Sequence, residues 1–171
     1  MRKYALSFGM IVKLAKGLTD DGFTKDKYGS VTRKFLSKNS ANKLRMYVFP
    51  SVYQQIMAQE NNERMLEFVN NACTKAEFDG YKNMLAYEFE KKLSNANFWG
   101  KYNDEEIVNE LLALTEALVY NMVFVSKNED MLAIKNDVNA YCIENGLSKK
   151  NTVLSIKDAI NEMEGYVIYK K

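Results

Sequence analysis

The side chains that could do chemistry in this sequence are mainly carboxylates, because the chain of 171 residues contains no histidine. Without histidine, neither a Ser-His-Asp nor a Cys-His nucleophile can form, and imidazole cannot ligate zinc or haem. Carboxylates cluster at Asp20–Asp21, Asp104–Glu106 and Glu129–Asp130. The last two clusters precede apolar helical patterns, where negative charge stabilises the positive end of the helix dipole. The first lies in a turn-rich loop, so each cluster has a structural explanation.

No sequence motif assigns a catalytic role to any of these residues. The chain has no Walker loop and no GxGxxG, GxSxG or HExxH pattern. Cys73 and Cys142, the two cysteines, fall on apolar helical faces, and no Cys-x-x-Cys pair is present. The sequence therefore predicts a protein that is not an enzyme, with no catalytic residue, no cofactor and no metal site.

Charge is distributed unevenly along the chain. Residues 1–50 carry eleven Lys and Arg against three Asp, whereas residues 51–147 carry sixteen Asp and Glu against eight Lys and Arg. Three arrangements explain this asymmetry: the two segments face each other in one fold, the basic segment binds nucleic acid, or the basic segment of one copy packs on the acidic segment of the next. The candidate interface residues are Lys25, Lys27, Arg33, Lys34, Lys43, Arg45, Glu105, Glu110 and Glu116.

The elements that must position these groups show mostly helical periodicity. Apolar residues recur at helical spacing from Tyr4 onward and most clearly over 103–125, where Leu111, Leu114, Leu118 and Met122 form one stripe. Residues 43–49 alternate in polarity and end at the single proline, which favours a short strand. We therefore predict a mainly α fold, a bundle of about six to seven helices. At most a short strand is expected near residues 43–49 and another at the C-terminus.

The domain organisation follows from length and charge. A chain of 171 residues is expected to form a single domain, with a basic N-terminal segment over 1–50, its loop at 19–30, and a helical body over 51–171. The longest apolar run, 111–125, contains Thr115, Glu116 and Asn121 and is too short and too polar for a membrane span. The N-terminus lacks a clean signal-peptide pattern. The expected location is a virion or the cytoplasm, with no membrane partner and no secretion.

One stretch invites comparison with a known family. Residues 138–169 read VNAYCIENGLSKKNTVLSIKDAINEMEGYVIY, in which Gly146-Leu147-Ser148 follows an amphipathic helix and Thr152-Val153 opens a second apolar pattern. This stretch resembles a helix-turn-helix with a winged-helix ending. The resemblance implies DNA contacts from Lys149, Lys150, Asn151, Ser155 and Lys157. The match departs from the family because Val153 and Ile156 sit one residue late and because three acidic residues follow.

Two classes of function fit these observations. The first is a non-enzymatic structural or adaptor protein of a multi-subunit assembly, such as a phage head–tail connector or collar ring, since the composition is typical of an AT-rich genome. Its partners would be further copies of the chain and other assembly proteins, with nucleic acid as a possible partner. The alternative is a DNA-binding regulator that uses the helix-turn-helix-like region, or a small inhibitor that acts by protein–protein binding.

Overall fold

The computed structural model describes residues 3–19, 35, 45–96 and 105–162. Within these ranges, helices flank a parallel sheet of five short strands. The strands are β1 (Tyr4–Leu6), β2 (Met46–Val48), β3 (Thr74–Lys75), β4 (Val123–Val125) and β5 (Val153–Leu154). The helices are α1 (Phe8–Thr19), α2 (Pro50–Met57), α3 (Glu63–Ala72), α4 (Gly80–Ser94), α5 (Glu105–Val119), α6 (Glu129–Ala133), α7 (Lys135–Glu144) and α8 (156–162).

The first strand of the chain lies in the middle of the sheet. The strand order is β3-β2-β1-β4-β5, and every described pairing is parallel. β1 pairs with β2 through Tyr4 opposite Met46, and with β4 through Leu6 opposite Val125. Parallel neighbours require long crossovers, which the helices provide, and these helices cover the sheet. The chain therefore has an α/β fold.

The prediction of a mainly α bundle is wrong. The segments Tyr4–Leu6 and Val123–Val125, which the periodicity assigned to helices, are the two central strands of the sheet. All six of their residues are buried. A strand that is buried on both faces shows a continuous apolar run, so periodicity does not distinguish it from a buried helix. Asn121, with a φ of 56°, lies in the turn that separates the end of α5 from β4.

Most of the residues predicted to form the core are buried. Of the stripe predicted over 103–125, Leu114, Leu118 and Met122 are each at most 7% exposed and belong to the same apolar cluster as the central strands, whereas Leu111 is partly buried against that cluster. The stripe along α5 was therefore identified correctly, although the helix ends at Val119. Of the helices in the described ranges, none is long and apolar enough to cross a membrane.

The buried side chain of Asn139 forms hydrogen bonds with the edge of β5 that does not face β4. Asn139 lies on α7 and is 5% exposed. Its Oδ1 accepts hydrogen bonds from Thr152 N at 2.9 Å and Val153 N at 2.8 Å, and its Nδ2 donates to Val153 O at 2.9 Å. One side chain thus satisfies backbone groups of β5 that do not face β4.

Candidate binding site at the carboxyl edge of the sheet

The order of the strands along the chain reverses between β1 and β4, and this position is the topological switch point of the sheet. β2 and β3 extend the sheet on one side of β1, whereas β4 and β5 extend it on the other. In open α/β sheets, ligands bind in the crevice outside the carboxyl ends of the strands at such a point. The residues that follow β1 and β4 are therefore the first candidates for a functional site.

Both of these strands are followed by a buried serine. Ser7 follows β1 and is 1% exposed, and Ser126 follows β4 and is fully buried. Ser7 N donates a hydrogen bond to Val125 O at 3.2 Å, which extends the pairing of the two strands. Ser7 Oγ accepts a hydrogen bond from Met10 N at 3.2 Å and so caps the first turn of α1.

Ser126 makes a different set of hydrogen bonds. Its Oγ donates to Glu110 Oε2 at 2.7 Å and accepts from Asn128 N at 3.1 Å. Glu110 lies on α5 and is 8% exposed. Asn128 caps α6, because its Oδ1 accepts a hydrogen bond from Met131 N at 2.9 Å. The hydroxyl of Ser126 therefore connects the end of β4, the middle of α5 and the start of α6.

Burial changes the acid–base behaviour of Glu110. Desolvation raises the pKa of its carboxyl group to about 7, because water no longer stabilises the charged form. The hydrogen bond from Ser126 lowers this pKa, whereas the negative charge of Glu106, one helical turn earlier, raises it further. Glu110 can therefore gain or lose a proton close to neutral pH.

A cavity of about 290 Å³ opens beside Glu110. Its walls come from α1, α2, α5 and the loop after β4. α1 lies beside this loop at Gly9, where an added Cβ would make an ordinary van der Waals contact of 3.9 Å with Lys127 Cβ. The lining residues are Phe8, Gly9, Val12, Gln55, Glu106, Asn109, Glu110, Ala113, Lys127 and Asn128.

The lining combines one ammonium group, two carboxyl groups and three carboxamides. The ammonium of Lys127 can pair with an anionic group, and the carboxamides of Gln55, Asn109 and Asn128 carry both donors and acceptors. Phe8 adds a partly buried aromatic ring. No group of three acidic, cysteine or histidine side chains that could hold a metal ion occurs among the described residues. The arrangement suits a small polar ligand with hydrogen-bonding edges and an anionic group.

The three acidic residues predicted for an interface lie in different surroundings. Glu105 is exposed at the start of α5, whereas Glu110 lines the cavity. Glu116 is partly buried and accepts hydrogen bonds from Ser51 N at 3.2 Å and from Ser51 Oγ. Desolvation raises the pKa of the Glu116 carboxyl group to about 6, although the bonds from Ser51 lower it. Two of these three carboxyl groups are thus engaged inside the chain.

Most of the predicted basic interface lies outside the described residues. Arg45 is described; it precedes β2 and is partly buried. The interface between copies therefore stays a prediction. The residues outside the described ranges are Lys25, Lys27, Arg33, Lys34 and Lys43.

The segment that resembles a helix-turn-helix folds differently. α7 ends as predicted, and Gly146 adopts a left-handed conformation with a φ of 71°, as expected after a helix. The expected second helix does not open at Thr152–Val153, because Val153 and Leu154 form β5 and pair with β4. A helix begins only at residue 156, and the expected wing strand lies outside the described residues. The local geometry is therefore α7–β5–α8, without a helix-turn-helix.

The strand β5 separates the predicted nucleic-acid contacts into two groups. Lys149, Lys150 and Asn151 are exposed and precede the strand, whereas Ser155 and the exposed Lys157 follow it. Ser155 Oγ accepts a hydrogen bond from Asp158 N at 3.1 Å and caps α8. These five residues do not share the face of one helix, and their contact with nucleic acid stays a prediction.

Comparison with known proteins gives a distant likeness to solved structures. No protein-family model matches the chain, and no curated protein does. One solved structure that it matches is the crystal structure of VapBC2 from Rickettsia felis bound to a DNA fragment from their promoter. The sequences are 16% identical, the match covers 76% of this chain and 90% of that chain, and the TM-score is 0.48. At this level of similarity, the function of that complex does not carry over to this chain.

The prediction of a phage virion component, such as a head–tail connector or collar ring, is wrong. It rested on analogy with all-helical structural proteins, and the five-stranded parallel sheet removes the basis of that analogy.

Sequence reasoning missed Ser7, Ser126 and Lys127, and it gave Glu110 a different role. A signal was present twice, because Tyr-Ala-Leu-Ser before α1 and Val-Phe-Val-Ser before α6 are both apolar triplets followed by serine. Interpreted as buried strands, they place both serines at carboxyl ends of the sheet. The contact of Ser126 with Glu110 carries no such signal, since it depends on how α5 packs.

Proposed function

We propose that this protein is a non-enzymatic regulator that binds nucleic acid, and that the cavity beside Glu110 receives one unpaired nucleotide. The observation that carries the proposal is the position and lining of this cavity. It lies at the switch point of a parallel sheet, where folds of this class hold nucleotides, and it combines an ammonium group, carboxamides and an aromatic ring.

The lining matches the chemical parts of a nucleotide. Lys127 offers an ammonium group to a phosphate, and phosphate contacts from Lys position nucleic acids on proteins. The carboxamides of Asn109 and Gln55 can donate to or accept from the edge of a base. Phe8 provides a ring on which a base can stack.

The volume of the cavity favours a single unpaired nucleotide over a duplex. At about 290 Å³ it lies at the lower end of the range of roughly 300–1,000 Å³ that is usual for ligand pockets. The bases of a duplex are stacked and paired, whereas proteins commonly bind the splayed bases of single-stranded segments in pockets. The proposed ligand is therefore a single-stranded segment of DNA or RNA.

The proposal also concerns the partners of the protein. Nucleic acid is one partner, and further copies or a second protein are the others, with the exposed Glu105 among the residues that can meet them. The alternative of a small inhibitor that acts by protein–protein binding predicts no affinity for nucleic acid. A binding measurement therefore separates the two functions.

The test is fluorescence anisotropy with labelled single-stranded RNA, single-stranded DNA and duplex DNA of equal length, at two salt concentrations. We expect the single strands to bind more tightly than the duplex and the affinity to fall as salt rises. Lys127→Ala should weaken binding of the single strands by about tenfold, since it removes the phosphate partner in the cavity.

Lys149→Ala and Lys150→Ala are matched controls, because they remove the same charge from the exposed loop before β5. We expect these variants to bind like the wild type. A loss confined to the loop variants would assign binding to that loop and refute the cavity. No binding of any nucleic acid by the wild type would refute the function itself and favour the inhibitor.

A second candidate function is acid–base catalysis on the bound ligand. The observation that favours it is Glu110, a cavity carboxyl group whose pKa is raised to about 7, which suits a general acid or base at neutral pH. Incubation of labelled RNA and DNA with the wild type and with Glu110→Gln tests it. Cleavage by the wild type that the variant lacks would establish catalysis, whereas intact nucleic acid in both reactions would leave the binding function.

A further inference from the structure

We propose that the cavity recognises guanine, and that Glu110 accepts hydrogen bonds from the Watson–Crick edge of the base. This inference rests on the proposed function, because it assumes that an unpaired nucleotide enters the cavity. It goes beyond that function by naming the base and the residue that selects it.

Glu110 has hydrogen-bonding capacity that no described residue uses. Glu110 as a whole residue is 8% exposed, and it lines the cavity. Its Oε2 accepts the hydrogen bond from Ser126 Oγ at 2.7 Å, and Oε1 has no hydrogen-bond partner among the described residues. A carboxylate offers about four acceptor positions on its two oxygens. A ligand in the cavity therefore meets a fixed acceptor pair with most of its positions unfilled.

Guanine is the base whose edge complements such an acceptor pair. Its N1–H and N2–H₂ groups are adjacent donors, and one carboxylate can accept from both. Adenine offers a donor next to an acceptor, and cytosine and uracil each offer one donor group on this edge. Guanine O6 lies beside N1 and needs a donor, which the carboxamide of Asn109 or Gln55 can supply.

The charged residues around Glu110 are compatible with a nucleotide whose neutral base lies next to Glu110 and whose phosphate lies next to Lys127. The charged residues of the lining are Glu106, on the same helix, and Lys127, in the loop after β4. The parts of α1 and α2 that line the cavity contribute Phe8, Gly9, Val12 and Gln55, all uncharged. Donor groups of a base thus face carboxyl groups, while the phosphate can reach Lys127.

Glu110 is also held in position for this role. The hydroxyl that donates to it belongs to Ser126, whose backbone N donates to Leu154 O at 3.1 Å and so is fixed in the sheet. An acceptor that is fixed before binding loses little conformational freedom when the ligand arrives. The structure therefore provides a preorganised acceptor, as base selection requires.

The experiment measures binding of single-stranded heptanucleotides that differ only at the central position. The central residue is guanosine, inosine, adenosine or cytidine in a background of uridine, and a single guanosine avoids self-association of the probe. We expect the guanosine probe to bind the wild type about tenfold or more tightly than the adenosine and cytidine probes, as one bidentate pair allows. Inosine, which lacks the N2 amine, should lose about half of this advantage on a logarithmic scale.

Glu110→Gln is the deciding variant, because it keeps the volume of the side chain and replaces one acceptor oxygen by an NH₂ group. It should bind all probes within about twofold of one another. Glu105→Gln is the matched control; it removes an exposed carboxylate at the start of α5, outside the cavity lining, and should keep the preference for guanosine. Circular dichroism establishes that both variants are folded.

The outcomes separate the two proposals. Tight but equal binding of all probes by the wild type would overturn guanine selection and leave nucleic-acid binding in place. A guanosine preference that persists in folded Glu110→Gln would also overturn it. If that variant does not fold, the inosine probe decides: inosine bound as tightly as guanosine excludes recognition of N2 by a carboxylate. No binding of any probe would refute both proposals.

Discussion

β1 and β4 both end in a buried serine that precedes a helix, yet the two hydroxyl groups have different partners. Ser7 Oγ accepts from a backbone N–H three residues along the chain and caps α1. Ser126 Oγ donates to Glu110, sixteen residues away on α5, and the capping of α6 is carried out by Asn128. The same local pattern therefore produces a simple helix cap at one strand and a connection among three elements at the other.

This difference shows which of the two serines can position a side chain for function. The bond of Ser7 serves the backbone of its own segment, so it satisfies local structure only. The bond of Ser126 holds a buried carboxyl group that burial has made easy to protonate. The serine after β4, and not the one after β1, therefore holds a side chain that is proposed to bind the ligand.

Ser126→Ala is expected to have the largest effect on stability. The change leaves the buried carboxyl of Glu110 without its donor and Asn128 N without its acceptor, and orphaned buried groups cost about 1–3 kcal/mol each. We expect the free energy of unfolding at pH 8 to fall by about 3 kcal/mol in urea titrations. Adding Glu110→Leu should recover part of this loss. A decrease below about 0.5 kcal/mol would contradict the role given to Ser126.

Glu110→Gln is expected to change how stability depends on pH. Because burial raises the pKa of Glu110 from 4.5 to about 7, its contribution to stability is complete below about pH 4.5 and is lost as pH rises through 7. The loss is on the order of 3 kcal/mol by pH 8, since the pKa rises from 4.5 to about 7 and one pKa unit equals about 1.4 kcal/mol. The variant should lack this part of the decline in urea titrations across that range.

The carboxyl group of Glu116, whose pKa is also raised, titrates in both proteins. The difference between the two pH profiles therefore isolates Glu110. Glu105→Gln, at the exposed start of α5, is the control and should follow the wild-type profile. Parallel profiles for the wild type and Glu110→Gln would show that burial does not perturb this carboxyl group.

The smallest effects are expected where the two junctions are alike. Ser7→Ala and Asn128→Ala each remove one helix cap, which usually costs about 1 kcal/mol. Thermal unfolding should show similar decreases in melting temperature for both. Ser7→Ala should leave the pH dependence of stability unchanged. If its pH profile changed, the hydroxyl of Ser7 would be coupled to Glu110, and the contrast between the junctions would be lost.

Features that depend on neighbours along the chain could be predicted from the sequence. The caps at Asp79 and Asn128 and the left-handed turn at Gly146 are of this kind, because each side chain acts within about three residues. The buried stripe of α5 was predicted as well. The apolar residues of α5 keep helical spacing over about four turns, which distinguishes a helix from a strand.

The central strands could not be predicted in the same way. Val123–Val125 continues the apolar run of α5, and only the turn at Asn121 separates the two elements. Tyr4–Leu6 is equally short and is followed at once by a helix. Three buried residues are compatible with either periodicity, so the choice of strand is made by pairing partners that lie about 40 and 120 residues away along the chain.

The candidate site escaped prediction for a related reason. Glu110 was noticed as one of several acidic residues on a helix, which is correct, but its neighbours come from four different elements. Whether a helical carboxylate faces solvent or a cavity depends on the rotation of that helix against the sheet. Such a rotation is a property of the packed fold and leaves no mark in the local sequence.

The bonding of Asn139 has a consequence for self-association. A row of free N–H and C=O groups at the border of a sheet attracts strands from other molecules and starts aggregation. At β5 the side chain of Asn139 already occupies both the N–H and the C=O of Val153, as a further strand would. A strand from a second molecule could attach there only by displacing α7. The side-chain amide of Asn139 therefore protects the β5 edge of the sheet against pairing with strands of other molecules.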